Sequence, residues 1–281
     1  MGSQPPFLLV DNVFDGINLY PGATRASSGD AYGTDVRFVA DYRRERTVWK
    51  AAAAQTYAYV SSDLGAGNTA AVDTLFIDRG SLPSLTGKTI QITGDDGSGG
   101  SPVSVTRTVP ALGTVGGDPT SGALVITEEA AMYGFLGSMA AKRRWLVYEV
   151  ESGQPIITGV ILGTRLQLAS YATKRDEDAG RRSQRSEESP AGYVASDRTY
   201  SGRTLDLTLN NIGGSAYDAQ IRTLRRLLFE KNQPALIVMN YGANPERGWL
   251  YRLDATNWSA PQTRAMRTAS MSFRELYPLV A

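Results

Sequence analysis

The chain of 281 residues contains neither cysteine nor histidine. Without cysteine there is no disulfide, no thiolate nucleophile, and no cysteine-bound zinc or iron–sulfur cluster. Without histidine the Ser/His/Asp triad is missing, zinc loses its commonest nitrogen ligand, and the side chain that titrates near neutrality is gone. Catalysis would fall to carboxylates, lysine or tyrosine, so the composition points to a protein that is not an enzyme and carries no cofactor. Net charge is nearly absent as well: 29 basic residues face 28 acidic ones, leaving +1. Proteins that neutralise a nucleic-acid backbone need clustered excess Lys and Arg, so no nucleic-acid partner is expected. Apolar runs such as Phe7–Val10 and Ala235–Met239 fall far short of the roughly 20 residues of a membrane-spanning helix. The start shows no basic segment followed by a long apolar core, and Pro6 stands where a lipidation signal has Ser or Thr. The expectation is a protein without membrane insertion, made in the cytoplasm.

Glycine is abundant, with 29 residues, and turn-forming clusters recur at short intervals: Tyr20-Pro21-Gly22, Ser28-Gly29-Asp30, Gly65-Ala66-Gly67-Asn68, Gly94 to Gly100, and Gly113 to Asp118. Short runs of β character lie between them. Gln55 to Val60 alternates loosely, Thr74 to Ile77 is nearly all apolar, and Thr89 to Thr93 and Val103 to Thr106 alternate cleanly. Arg144 to Val150 is a further strand. Strands of this length, punctuated by turns, predict an all-β sandwich over residues 1–152. In it Trp49, Leu75, Ile77 and Trp145 are the expected core anchors.

A second domain is expected over residues 153–281, opening with the strand near Ile156 to Gly163. The stretch 173–198, "TKRDEDAGRRSQRSEESPAGYVASDR", mixes both charge signs with almost no apolar residue and reads as a long exposed loop. It is either a solvated insertion or an arm that orders against a neighbouring subunit; in the second case Arg175, Asp176, Glu177, Arg181, Arg182 and Arg185 would form the interface. Thr204 to Leu209 alternates strictly as a strand. One helix is predicted over about 215–232: Ser215 at the N-cap with Asp218 three residues on, an apolar face of Tyr217, Ile221, Leu224 and Leu228, and Pro234 after the last turn. With the β runs at Ala235–Met239, Trp249–Leu253 and Met266–Phe273, the block reads as α+β, antiparallel strands with one helix. The fold class as a whole is mainly β.

Several groups of polar residues are candidates for chemistry. Asp73 and Asp78 are five apart in "VDTLFIDRG"; strand alternation sends them to opposite faces, which suits polar trim at the two ends of a core strand, with Arg79 pairing Asp78 or a neighbour, better than a carboxylate pair facing one substrate. Asp95 and Asp96 in "GDDGS" offer oxygen ligands to Ca²⁺, but the spacing is not that of an EF-hand and an Asp-Gly segment after a strand is more often a turn. No metal is therefore assigned, with Asp95 and Asp96 the weak candidates. Glu128–Glu129 and Glu187–Glu188 are adjacent acids without an evident third. Arg222, Arg225 and Arg226 are either a small basic strip for a partner or a solvated helix face. Among the 14 tyrosines and 4 tryptophans, Tyr32, Tyr42, Trp49, Tyr57, Tyr59, Tyr241 and Trp258 lie near turns. Exposed aromatics there would stack on sugar rings, whereas Trp49 and Trp145 fit a sandwich core.

The succession of Trp49, "TYAYVSSDLG" (56–65), "VDTLFIDRGSL" (72–82), "LTGKTIQITGDDG" (85–97) and "RRWLVYEV" (143–150) resembles the galactose-binding-like, or discoidin-like, jelly roll in the form found in bacteriophage virion proteins. "ITGVILGTRLQL" (157–168), "QPALIVMNYG" (233–242) and "SMSFRELYPLV" (270–280) are similar to the tail of those same proteins. A departure is Arg79-Gly80-Ser81-Leu82 where family members commonly have Arg-His-Asn-Leu, and no sugar-contacting set carries over position by position. The resemblance implies a structural virion protein of a phage tail, distal-tail-like or a minor tail protein, forming part of the tip or baseplate ring by homo-oligomerisation with other tail proteins. The alternative is a carbohydrate-binding adsorption protein recognising a host surface glycan, discriminated by exposed aromatics around residues 30–60 or 95–118. A glycoside hydrolase would need two carboxyl groups facing each other across a cleft.

Overall fold

A computed structural model describes residues 6–15, 19–40, 48–53, 57–97, 102–111, 113–128, 130–149, 153–168, 172–176, 184–188, 194–198, 203–213, 221–257 and 266–276. The chain divides into two compact units: Met1–Gln167 with Leu236–Trp249, and Leu168–Ala235 with Leu250–Ala281. The first boundary lies after Gln167 rather than near 152. The strands that follow residue 152 complete the first unit by pairing back into it.

Unit 1 is an antiparallel β-sandwich. One sheet has five strands in the order β2 (Thr24–Ser27), β4 (Ala58–Asp63), β10 (Arg144–Glu149), β6 (Thr89–Asp95) and β7 (Val103–Thr108). The other has four: β12 (Val160–Gly163), β5 (Ala70–Ile77), β9 (Met132–Lys142) and β8 (Val125–Ile126). Non-sequential neighbours such as β4, β10 and β6 are the mark of a jelly roll. β3 (Trp49–Lys50) pairs with β11 (Ile156–Ile157), and β1 (Phe7–Leu9) lies between β13 (Arg165–Gln167) and β18 (Ala235–Val238). The core gathers the inward side chains of both sheets, including Trp49, Val60, Leu75, Ile77, Ile92, Trp145, Val147 and Leu162. Trp49, Leu75 and Trp145 are each 0 % exposed and Ile77 1 %.

β5 starts at Ala70, so Asp73 lies inside the strand rather than at its end, while Asp78 follows its last residue. The eleven-residue β9 is not legible as a strand because Gly134 and Gly137 interrupt "MYGFLGSMAAK". Both glycines have structural causes. A Cβ on Gly134 would lie 2.6 Å from Leu124 Cδ2, and Gly137 has φ +76° where the β5–β9 register slips between Val72↔Met139 and Thr74↔Phe135, the signature of a bulge.

Unit 2 contains β14 (Ala172–Asp176), β17 (Thr204–Gly213), β20 (Met266–Glu275) and the part of β19 (Gly248–Asn257) from Leu250 on, antiparallel in the order β19, β20, β17, β14. Leu205, Leu207 and Leu209 are buried while Asp206 is exposed, as strict alternation requires. The stretch 173–198 is not a structureless loop. β14 pairs with β17, and β15 (Gln184–Glu188) pairs with β16 (Val194–Arg198) as a hairpin. Backbone pairing needs no apolar side chain, so the pattern that signals a loop is compatible with a two-stranded ribbon. Of the expected helix, the described part is 221–230; residues 214–220, with Ser215, Tyr217 and Asp218, lie outside the described residues. Ile221, Leu224, Leu227 and Leu228 form its buried face. The last turn, Arg225–Glu230, is π-helical, closed by Lys231 N–H donating to Arg226 O at 3.0 Å.

Candidate functional site

Asp73, Asp78, Asp95 and Asp96 are all held by hydrogen bonds or ion pairs within unit 1. Asp73 Oδ1 accepts from the Thr74 hydroxyl at 2.7 Å and from Arg165 N–H at 2.9 Å. Asp78 Oδ1 accepts from the Arg79 backbone N–H at 2.8 Å, so Arg79 meets it through the main chain. Burial pushes the Asp78 carboxyl up to about 7, only partly opposed by that hydrogen bond and the Arg79 charge. The two aspartates have separate partners and form no pair.

Asp95 and Asp96 belong to a row of cross-strand ion pairs. Arg144 sits opposite both Asp63 and Asp95 in register and donates Nε and Nη2 to Asp95 Oδ2 at 2.9 and 2.7 Å. Arg143 takes Asp63 with two bonds, at 2.7 and 3.0 Å, and holds its carboxyl below the usual value. Lys142 Nζ reaches Asp96 at 3.0 Å. Asp95 also caps its turn by accepting from Gly97 N–H at 2.7 Å. Each acid offers its oxygens to a fixed cation, and among the described residues no group of three or more potential ligands converges. Glu128 pairs with Arg247 at 3.4 Å; Glu129 lies outside the described residues.

The opposite end of the five-stranded sheet is different. β2 and β4 are antiparallel with Ser27 opposite Val60, so the segment after β2 and the residue before β4 leave from one end. Residues 31–34 form a tight turn closed by Thr34 N–H to Ala31 O at 3.0 Å. Gly33, at its third position, has φ +79°, the type II signature that favours glycine. The Thr34 hydroxyl donates to Ala31 O at 2.8 Å, and Ala31 N–H to Lys50 O at 2.9 Å, tying the turn to β3. Tyr32 is thereby held at the tip, fully exposed; Tyr57, just before β4, is 58 % exposed. Every other tyrosine or tryptophan whose burial is described is at least partly covered.

Polar groups surround Tyr32. Asp30 is exposed, yet its Oδ1 accepts from the buried Trp49 Nε1–H at 2.8 Å and from the Ser27 hydroxyl. Asp35 accepts from Arg37 N–H at 2.7 Å and from Arg37 Nε at 2.7 Å, opening the 3-10 turn Val36–Ala40. The Arg37 side chain keeps Asp35 below the usual carboxylate range. Arg25 reaches over to donate to Arg37 O at 3.0 Å. The result is an exposed aromatic ring on a fixed turn, with a carboxylate and a guanidinium each held by a neighbour: apolar area and paired polar groups, and no reactive centre.

Of the turn aromatics named from sequence, Tyr32 and Tyr57 are exposed, Trp49 and Tyr241 are buried, Tyr59 is half-buried, and Tyr42 and Trp258 lie outside the described residues. Sequence reasoning missed Asp30, Asp35 and Arg37. The signal was "GDAYGTD", where Tyr-Gly occupies central turn positions between two aspartates. In the charged stretch, Arg175 lies opposite Leu205, Asp176 opposite Thr204, and Arg185 opposite Asp197; Glu177, Arg181 and Arg182 lie outside the described residues.

No family model matches the chain, and no curated protein matches it. Among solved structures, a fucose binding module from Streptococcus pneumoniae aligns at 16 % identity and TM-score 0.37, covering 53 % of this chain and 96 % of its own. The lectin domain of Lectinolysin, complexed with Lewis B antigen, aligns at 15 % identity and TM-score 0.37, covering 53 % and 96 %. The family 32 module of C. perfringens NanJ, complexed with galactose, aligns at 11 % identity and TM-score 0.38, covering 57 % and 99 %. Unit 1 is a jelly-roll β-sandwich by its own strand order, and the chain as a whole is mainly β, the sandwich accompanied by an α+β region.

Proposed function

We propose that this chain is a non-catalytic carbohydrate-binding protein whose sugar-facing surface is the Tyr32 turn. The observation that carries the reading is Tyr32 itself, fully exposed on a type II turn that hydrogen bonds fix to β3. A rigid tyrosine supplies a large amphipathic contact at low entropic cost. Its ring suits the apolar C–H face of a pyranose, while Asp30, Asp35 and Arg37 match hydroxyl donors and acceptors at the ring's edge. Asp73, Asp95 and Asp96 are each held by a hydrogen bond or a cation and none faces another carboxylate, which favours binding over hydrolysis, since a hydrolase keeps two of them facing a substrate. A glycan array probed with the full chain tests this: the reading expects a defined set of sugars bound by the wild type and lost in Tyr32→Ala. A blank array, or binding that Tyr32→Ala leaves intact, would overturn it.

A second reading makes the chain a homo-oligomeric structural component of a phage tail tip, residing in the virion. The run of sequence motifs from Trp49 to Val280 favours it, as does hairpin β15–β16, which forms a two-stranded sheet of its own and so has stability to gain from a neighbour. Immunogold labelling of tail tips in virions would support this reading, and virions that never label would sink it.

A further inference from the structure

An exposed aspartate ordinarily turns freely in water; Asp30, two residues before Tyr32, does not. Its Oδ1 accepts from the indole Nε1–H of the fully buried Trp49 at 2.8 Å and from the Ser27 hydroxyl, whose own oxygen accepts from Gly29 N–H at 3.2 Å. The backbone is fixed as well: Asp30 bridges Ala51, and Ala31 N–H donates to Lys50 O at 2.9 Å. The carboxylate is therefore held at one oxygen from below and along its main chain from the side. Its other oxygen, Oδ2, takes no hydrogen bond among the described residues, and the residue is exposed.

The charges around Tyr32 are not answered evenly. Arg37 spends Nε and Nη2 on Asp35, and Arg25 gives Nη1 to Arg37 O at 3.0 Å. A sugar carboxylate would have to displace Asp35 to take the fork of Arg37. Asp30, by contrast, pairs with no cation among the described residues. Beside the exposed ring stands a fixed negative charge with one acceptor unfilled. Such a group favours a hydroxyl donor, because hydrogen bonds to a charged partner are the stronger kind and a preorganised acceptor loses little freedom on binding. Set against an anionic sugar, the same oxygen meets like charge, which is strongly unfavourable at a contact surface.

We infer that Asp30 is the specificity-determining residue of the Tyr32 surface: its Oδ2 accepts a hydroxyl of a neutral sugar seated on the tyrosine ring, and it turns away uronic acids and sulfated sugars. The inference rests on the glycan-binding reading and narrows it to neutral glycans. Trp49 is the positioning residue, acting through Oδ1, so that a buried indole sets the direction in which an exposed carboxylate receives its ligand.

An array of neutral hexose-terminated glycans, each printed beside its uronic-acid and sulfated counterparts, tests this with the full chain. The wild type is expected to favour the neutral member of each bound set by about tenfold or more. Asp30→Asn keeps an acceptor for Trp49 Nε1–H and the Ser27 hydroxyl, and replaces Oδ2 with an amide donor. It should lose about ten- to hundredfold in affinity for the neutral glycans, the worth of one hydrogen bond to a charged group, while the ratio of acidic to neutral binding rises by about tenfold. A purely structural role would weaken every member alike, so the ratio separates selection from folding. The wild-type preference is a second line if the variant fails to fold. A blank array, or binding untouched by Tyr32→Ala, removes the glycan reading and this inference with it. Binding that Tyr32→Ala abolishes but that treats neutral and acidic members alike in the wild type, or whose ratio Asp30→Asn leaves unchanged, overturns the inference alone and leaves the glycan reading standing.

Discussion

The indole Nε1–H of Trp49, a side chain with no exposed surface, donates to the Oδ1 of Asp30 at 2.8 Å. One hydrogen bond thus joins the centre of the sandwich core to the turn that displays Tyr32. The bond is charge-assisted, a class that contributes roughly 1.5–3 kcal/mol. Trp49→Phe keeps most of the packing and removes the donor. It is expected to lower stability by about 2 kcal/mol and, on the proposed reading, to weaken glycan binding by freeing Asp30 beside the Tyr32 turn. Thermal unfolding and glycan titration of the same preparation measure both effects.

Tyr32→Ala separates display from stability in the other direction. A fully exposed side chain contributes little to folding, so the variant should unfold within about 0.5 kcal/mol of the wild type. Its affinity for the bound glycan should fall by about 2 kcal/mol or more, the loss typical of a central aromatic contact. Chemical denaturation and titration calorimetry check the two halves.

Asp78 makes the stability of unit 1 depend on pH. Its carboxyl rises from 3.8 to about 7 on folding because burial penalises the charged form. The folded state therefore binds the proton more tightly, and its stabilising effect is complete below about pH 4 and lost as pH rises through about 7. At 1.36 kcal/mol per pKa unit the loss is about 4 kcal/mol at most. Asp78→Asn keeps an acceptor for Arg79 N–H and carries no charge, so it should gain stability over the wild type at pH 8 and gain none at pH 4. Urea denaturation at the two pH values decides it; equal differences at both would contradict the assignment.

The Asp63–Arg143 pair has the opposite sign. The arginine lowers the Asp63 carboxyl from its ordinary 3.8, so this contribution is present above about pH 4 and disappears as pH falls through the lower folded value. Both side chains are partly exposed, 25 % for Asp63 and 36 % for Arg143, so solvent screens the pair and its contribution is small. Arg143→Met should lower stability slightly at pH 7 and leave it unchanged near pH 2, again by denaturant titration.

Gly94 faces Trp145 across the β6–β10 ladder, and a Cβ there would lie 2.7 Å from the indole. Gly94→Ala should therefore destabilise unit 1 by roughly 1–3 kcal/mol, the range for overpacking a filled core. A blue-shifted or broadened tryptophan emission accompanying the loss would locate the strain at Trp145.

Much of unit 1 was legible because its cues are local. Alternation in Thr89 to Thr93 predicted β6, and the apolar run Thr74 to Ile77 lies within β5. Alternation in Thr204 to Leu209 likewise predicted β17, whose leucines are buried with Asp206 outside. The missing cysteine and histidine narrowed the chemistry before any strand was placed. Local cues misled where the cause was distant. Gly134 interrupts the pattern of β9 for a reason visible only when Leu124 is seen against it, and the polar stretch 184–198 reads as a loop until its two halves pair through the backbone.

The site divides along the same line. Composition alone determined that neither histidine nor thiol carries whatever this protein does. Which aromatics face solvent was a tertiary decision. Trp49 and Tyr32 are near neighbours in similar turn-rich sequence, yet the sandwich closes over the first and the Gly33 turn holds the second outside. Likewise, the sequence does not show the partners of Asp63, Asp95 and Asp96; only strand register brings Arg143, Arg144 and Lys142 to them. Burial and pairing depend on residues far apart in the chain, and local pattern cannot encode them.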